Sequence, residues 1–247
     1  MAAVLLIVSP FIGSWIGTLA LRLPAGEPLV LGRSRCRHCG RPLAPRDLVP
    51  LLSWLAARGR CRHCGGQIGP YYPLVELAAL AVVAAALAVA SGPEAAAGSL
   101  LGWALLALAL CDLGAFLLPD VITLPLIAGG LAAALLLPSG EGGAPAAHLI
   151  GAVAGYGVFA GLGWAYRALR GREGLGGGDA KLMAAAGAWL GWAPLPLVVL
   201  LGAGLALAAA LVRYRRLTLG AFAGQSVPFG APLALAIYIV WLLERGA

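Results

Sequence analysis

The sequence predicts an all-α membrane protein of about eight transmembrane helices, with a small metal-bound cytosolic segment between the first and second. Three observations carry this. The chain of 247 residues is 61% hydrophobic and only 11% charged, whereas about a quarter of a soluble domain is charged. Several apolar runs reach the roughly 20 residues a helix needs to cross a bilayer. The net charge of +7 is gathered into clusters that abut those runs. One large soluble core is excluded, because too few polar residues remain to cover it. A nucleic-acid surface is not expected either, since each basic cluster lies against an apolar run.

The first span covers residues 2–21. No basic residue precedes its apolar run, and Arg22 follows it. A cleavable signal peptide has the opposite charge order, so this segment reads as an anchor with its N-terminus outside. Residues 22–72 are polar and rich in Pro, Gly and Arg. The later spans are expected over 73–91, 99–118, 120–138, 148–169, 180–193, 195–212 and 226–243. Alternating sides from an outside N-terminus puts three basic clusters in the cytosol: Arg22 to Arg62, Arg167 to Lys181, and Arg213 to Arg216. Sixteen of the 17 Lys and Arg residues then lie inside, as basic residues on membrane proteins prefer. The chain thus divides into a first helix (1–22), a cytosolic zinc-binding segment (23–72) and a transmembrane domain (73–247).

The cytosolic segment repeats "CRHCG", at 36–40 and 61–65. Cys36 and Cys39, then Cys61 and Cys64, form two C-x2-C pairs with 21 residues between them. This is a zinc-site spacing. Zn²⁺ prefers a tetrahedral thiolate shell, and four thiolates leave no open position for a substrate, so the metal is expected to be structural. Gly40 and Gly65 are free to take the positive φ that such a knuckle wants. A pair of disulfides is the alternative, and a reducing cytosol disfavours it. His38 and His63 could each replace a cysteine, but read better as exposed neighbours. Cys111 stands apart in an apolar run and reads as a packing residue.

The chain has four aspartates. Asp47 is cytosolic; Asp112, Asp120 and Asp179 lie in or beside predicted spans. An ionisable group there is unfavourable and points to function. Asp112 interrupts the run "LLGWALLALALCDLGAFLLP". Asp120 follows Pro119 in a good N-cap position. Asp179 ends "GGGD" at the start of the sixth span, where unpaired N–H groups and the helix dipole favour an anion. Gly176 and Gly178 before it suggest a mobile or cavity-lining loop that presents the acid; a linker with a capping Asp is the alternative. The topology places Asp112 and Asp179 on one membrane face. Two carboxylates brought together share a proton, so that one serves as base and the other as acid. That arrangement fits peptide hydrolysis at the membrane boundary.

These stretches together identify a resemblance. "GSWIGTLALRLP" (13–24), "PLLSWLAARGRCRHCGGQIGPYYPLVEL" (50–77), "CDLGAFLLPDVITLP" (111–125) and "GLGGGDAKL" (174–182) resemble the bacterial type IV prepilin peptidases, membrane aspartic proteases of the G-x-G-D class. The resemblance implies a catalytic pair at Asp112 and Asp179, motif glycines at Gly176 and Gly178, and zinc cysteines at Cys36, Cys39, Cys61 and Cys64. It implies a multi-pass protein of the bacterial inner membrane that removes a basic leader from prepilin or pseudopilin precursors at the cytosolic face. Many members then methylate the new N-terminus with S-adenosylmethionine. Gly17 stands where the family usually has Asn, and Leu48 where it often has Asn, both in the half tied to methylation. Glu76 and Arg60 match the family pattern; an arginine partner is expected for Glu76. The rival reading is a transporter or proton channel that uses the intramembrane acids as a relay.

Overall fold

The computed structural model describes residues 1–28, 34–137, 145–171, 176–214 and 228–246. Expectations for Arg33, Arg172, Arg215, Arg216, Gly174 and Leu175 lie outside the described residues. Nine α-helices occur among the described residues: α1 (Ala2–Arg22), α2 (Leu52–Ala56), α3 (Tyr71–Val89), α4 (Gly92–Ala115), α5 (Asp120–Leu136), α6 (Pro145–Arg170), α7 (Gly177–Leu190), α8 (Leu195–Tyr214) and α9 (Gly230–Gly246). A single 3-10 turn, Pro45–Asp47, joins them. Each predicted span therefore has its helix, and the protein is an all-α membrane protein. The helices α1, α3, α4, α6 and α8 are long and apolar enough to cross a bilayer.

The ends differ from expectation in two places. Helix α4 begins at Gly92, so residues 92–98, read as an outside loop, are helical. The stretch "PEAAAGS" looks loop-like only because it is small and polar; alanine is the strongest helix former. Helix α7 begins at Gly177 and has 14 residues, about 21 Å of rise, too short to span the hydrocarbon core. It is buried from Asp179 to Leu190 apart from Lys181. A helix surrounded by others needs no polar face.

The chain forms two compact units, Met1–Ala107 and Leu108–Ala247. In the first, α1 lies antiparallel to α3, with Gly13 against Glu76 and Gly17 against Tyr72. A Cβ on Gly13 would come within 2.7 Å of the Glu76 Cα, so the two backbones touch. Tyr71 donates its hydroxyl to the Gly17 carbonyl at 3.2 Å. Trp103 of α4 donates its indole N–H to the Ala79 carbonyl of α3 at 3.2 Å.

The second unit is built around α7, which packs against α5, α6, α8 and α9. Its "AAAGA" core lets neighbours approach closely. A Cβ on Gly187 would lie 2.0 Å from the Gly151 carbonyl carbon, and one on Gly155 would lie 2.5 Å from the Met183 oxygen. This is small-residue packing of the kind that joins helices in lipid, where apolar burial gives no drive between them. His148 of α6 bonds the Ala188 carbonyl through Nδ1 at 3.1 Å, and Trp189 donates to the Leu126 carbonyl of α5 at 2.8 Å. Gly187→Ala is expected to destabilise the bundle by about 1–3 kcal/mol, the range for overpacked cores. Thermal unfolding in detergent checks this; Gly157→Ala, with open space around it, is the control.

Candidate functional site

The cysteine segment folds as two copies of one knuckle. In the first, Cys36 N–H bonds the Arg41 carbonyl and Gly40 N–H bonds the Cys36 carbonyl, each at 2.9 Å. In the second, Cys61 N–H bonds the Gly66 carbonyl at 2.8 Å and Gly65 N–H the Cys61 carbonyl at 2.9 Å. Gly40 and Gly65 take φ of 69° and 70°, as the sequence predicts. The Sγ atoms of Cys36, Cys39, Cys61 and Cys64 all lie within 4.8 Å of one another. Sulfurs at the corners of a tetrahedron around zinc are about 3.8 Å apart, and Cys36 and Cys64 stand at 3.9 Å. The four could hold a metal ion such as zinc.

The thiol chemistry agrees with a cation site. Backbone N–H groups of Cys39 and then His38 pull Cys36 down to about 6. Cys64 receives a backbone N–H from Gly66, yet burial and its three sulfur neighbours push it up to about 11. Four thiols this close cannot all ionise without positive charge between them, and the thiolate is the metal-binding form. The histidines have partners outside the cysteine cluster. His38 bonds the Gln67 carbonyl through Nε2 at 3.0 Å, and His63 Nδ1 sits 3.4 Å from Arg41 Nη1, so each crosses to the other knuckle. Asp47 pairs with Arg62 at 2.8 Å, tying the intervening chain to the second knuckle. Cys111 is fully buried and apart from the cluster.

Glu76 is also buried, but its expected arginine partner is replaced by main chain. Its Oε2 accepts the Leu51 N–H at 2.7 Å. Leu51 has φ 59° and ψ −54°, and Leu52 N–H reaches back to the Pro50 carbonyl at 2.6 Å. This is a γ-turn of the rare strained kind, held by a buried carboxylate.

The second unit carries a cleft of about 560 Å³, lined by Asp112, the Phe116–Asp120 stretch, Gly176 to Asp179 and Lys181. Asp112 and Asp179, 67 residues apart in sequence, therefore face one space, and both are buried, at 5 and 8 % exposure. Asp112 sits near the end of α4. Its Oδ2 accepts the Ala231 N–H from the start of α9 at 2.8 Å. Asp179 sits in the first turn of α7, and its Oδ2 accepts the Gly176 N–H at 3.2 Å. That is the acidic half of a capping box; the reciprocal half is absent because Gly176 has no side chain. The expectation of a glycine loop is corrected in part. Gly176, Gly177 and Gly178 do line the cleft, but as the cap and first turn of a helix.

Asp120 is corrected as well. It is the first residue of α5, makes no side-chain cap, and pairs instead with Lys181, the only lysine of the chain. Sequence reasoning missed Gly230 and Ala231. A Cβ on Gly230 would lie 3.0 Å from the Asp112 Cγ, so the "PFGAP" stretch at 228–232 abuts the acid. The punctuation of Pro and Gly was the available signal; a backbone donor leaves none.

Fold and cleft together define a multi-pass helical membrane protein with an acid-lined pocket in its second unit and a four-thiol cluster that could hold a metal after its first helix. Residues 7–90 match the Bacterial Peptidase A24 N-terminal domain, and residues 99–211 match the Type IV leader peptidase family. The chain is 46% identical over 222 residues to the prepilin leader peptidase/N-methyltransferase of Aeromonas hydrophila, covering 87% of this chain and 72% of that one. Proteins of the same name from Pseudomonas aeruginosa and Dickeya chrysanthemi are 41% and 43% identical over 221 and 228 residues, covering 87% of this chain and 72% and 77% of theirs. No solved structure matches it. The chain belongs to the type IV leader peptidase family of the bacterial inner membrane.

The Lys181–Asp120 pair is part-exposed, at 31% and 55%, so its coupling in a double-mutant cycle with Lys181→Met and Asp120→Asn is expected to be under about 1 kcal/mol. Chemical unfolding of the four proteins in detergent measures it.

Proposed function

We propose that this protein is an aspartic endopeptidase that removes the leader from type IV prepilin or pseudopilin precursors at the cytosolic membrane face, with Asp112 and Asp179 as the catalytic pair. The observation that carries the reading is the shared cleft, which joins two buried acids from separate helices in a chain of this family. One carboxylate takes a proton from water as its oxygen attacks the scissile carbonyl carbon. The other, protonated, donates to the carbonyl oxygen. When the tetrahedral intermediate collapses, the C–N bond breaks and the leaving nitrogen takes a proton. The pair titrates as a unit, so the roles belong to the dyad rather than to either residue alone.

The proposed organisation keeps the first helix (1–22), a cytosolic segment (23–72) stapled by one zinc on Cys36, Cys39, Cys61 and Cys64, and the peptidase domain (73–247), with the N-terminus outside. With little apolar core of its own, the segment gains its fold from the metal. The relatives' names add N-methylation. Here Gly17 is packed against Tyr71 and Tyr72, and Leu48 is an exposed apolar side chain. Neither offers a polar group to S-adenosylmethionine, and no step of methyl transfer is drawn from the geometry.

Asp112→Asn or Asp179→Asn is expected to lower leader cleavage by about 10³-fold or more while the chain still inserts in membranes. Cleavage of a prepilin precursor in detergent or proteoliposomes decides it, and near-normal processing by either variant rejects the pair. Metal analysis of the purified protein is expected to return about one zinc per chain, lost in Cys61→Ser and retained in both Asn variants. Labelled S-adenosylmethionine with a cleaved pilin reports the second activity.

A further inference from the structure

We propose that Leu118 is a steric gauge that sets how the two acids face each other, wedged between Gly178, the neighbour of Asp179, and Gly230, the neighbour of the Ala231 that bonds Asp112. The inference rests on the peptidase reading above. Leu118 lies in the linker from α4 to α5 and is buried, at 9% exposure. The chain enters this linker through a left-handed turn at Phe116, φ 54°, whose N–H bonds the Asp112 carbonyl at 2.9 Å. A bulky residue in that conformation is strained, and such strain persists where the surroundings enforce it. The turn leads to Leu118, which lines the same cleft as Asp112.

Two glycines meet it there. A Cβ on Gly178, next to Asp179, would fall 2.8 Å from the Leu118 Cβ, with its Cδ1 and Cγ farther off at 3.2 and 3.4 Å. A Cβ on Gly230, next to the Ala231 that bonds Asp112, would fall 3.0 Å from both Leu118 Cδ atoms and 3.0 Å from the Asp112 Cγ. One side chain thus meets the start of α7 most closely at its root, a contact that an alanine would keep, and the start of α9 at its tip, a contact that an alanine would lose. Since Gly176 and Ala231 hold the two carboxylates, the volume of Leu118 sets the separation of the two helix starts, and with them the acids. Leu118, Gly178 and Gly230 are positioning residues.

The root-and-tip geometry gives an asymmetric test. Gly178→Ala and Gly230→Ala are each expected to lower kcat for prepilin cleavage by about 100-fold, the scale of a 1 Å misplacement, with KM held within about threefold. Leu118→Ala deletes the tip and keeps the Cβ. It is therefore expected to restore Gly230→Ala to within about tenfold of wild type, the remaining contact with Asp112 limiting recovery, and to leave Gly178→Ala as slow as before. Rescue of both variants, or of neither, overturns the gauge. If a glycine variant fails to accumulate, single changes at Leu118 decide: Phe is expected to slow kcat by about 100-fold and Met to stay within about threefold, and equal rates overturn the proposal. Failed rescue alongside normal wild-type cleavage counts against the gauge alone; a wild-type chain that cleaves no prepilin brings down the peptidase reading and the gauge with it.

Discussion

A carboxylate buried among apolar helices needs fixed dipoles around it, and in this protein the main chain supplies them. Among the described residues, the buried acids Glu76, Asp112 and Asp179 accept backbone N–H groups from Leu51, Ala231 and Gly176 respectively. The exposed or part-exposed acids Glu27, Asp47 and Asp120 pair with Arg22, Arg62 and Lys181. The division has a physical reason. A buried cation would itself have to be stripped of water, a penalty of several kcal/mol per ion, whereas a backbone N–H is already part of the fold. For an acid that must pass a proton, main-chain donors also hold the carboxylate in place without neutralising it, as a paired cation would.

Bringing N–H groups to the acids requires helix ends close to them, and this explains why α7 is short and made of small residues. Its first turn opens on the cleft, with Gly176 and Gly177 exposed, and buries Asp179 just behind them. The Ala and Gly faces along 180–188 let α5, α6 and α9 close around it. Exposed apolar bulk is carried by the other long helices, as by Phe11 of α1, Leu100 of α4, Leu135 of α5, Trp164 of α6 and Leu200 of α8. The helix that carries Asp179 is therefore built of small buried residues rather than of bulk for the bilayer, whereas Asp112 sits on α4, a helix long and apolar enough to span it.

Much of this was legible in the sequence. Hydropathy and charge placed a helix at every expected span, because a lipid-facing run must be long and apolar. The repeated pentapeptide yielded both the four thiols and the left-handed glycines, since a metal knuckle is a local structure. Asp112 and Asp179 stood out through the unfavourable burial of charge. What stayed hidden was non-local. Nothing in one-letter code marks the Ala231 N–H as the partner of an acid 119 residues away, or the Leu51 N–H as that of Glu76. Asp120 read as a cap because cap chemistry is local, yet its partner Lys181 comes from another helix. The "GGGD" stretch read as a loop because glycine propensity is poor in helices, and tertiary packing overrode it.

The glycines show why propensity misled. Gly40 and Gly65 have nothing within 4 Å of where a Cβ would be, and positive φ; they are required by backbone conformation alone. Gly178 and Gly230 lie in helices and are required by space alone, because Leu118 or Asp112 already occupies it. Gly176, with φ −71° and ψ 143°, has a backbone any residue adopts, and Gly177 has open space. The triple glycine before Asp179 is thus no flexible tether as a unit. Of its three members, Gly178 has the least room, a Cβ there falling 2.8 Å from Leu118, and Gly176 is close too, at 3.3 Å from the Asp179 Oδ2, so packing of the site, rather than its mobility, is what excludes a side chain there.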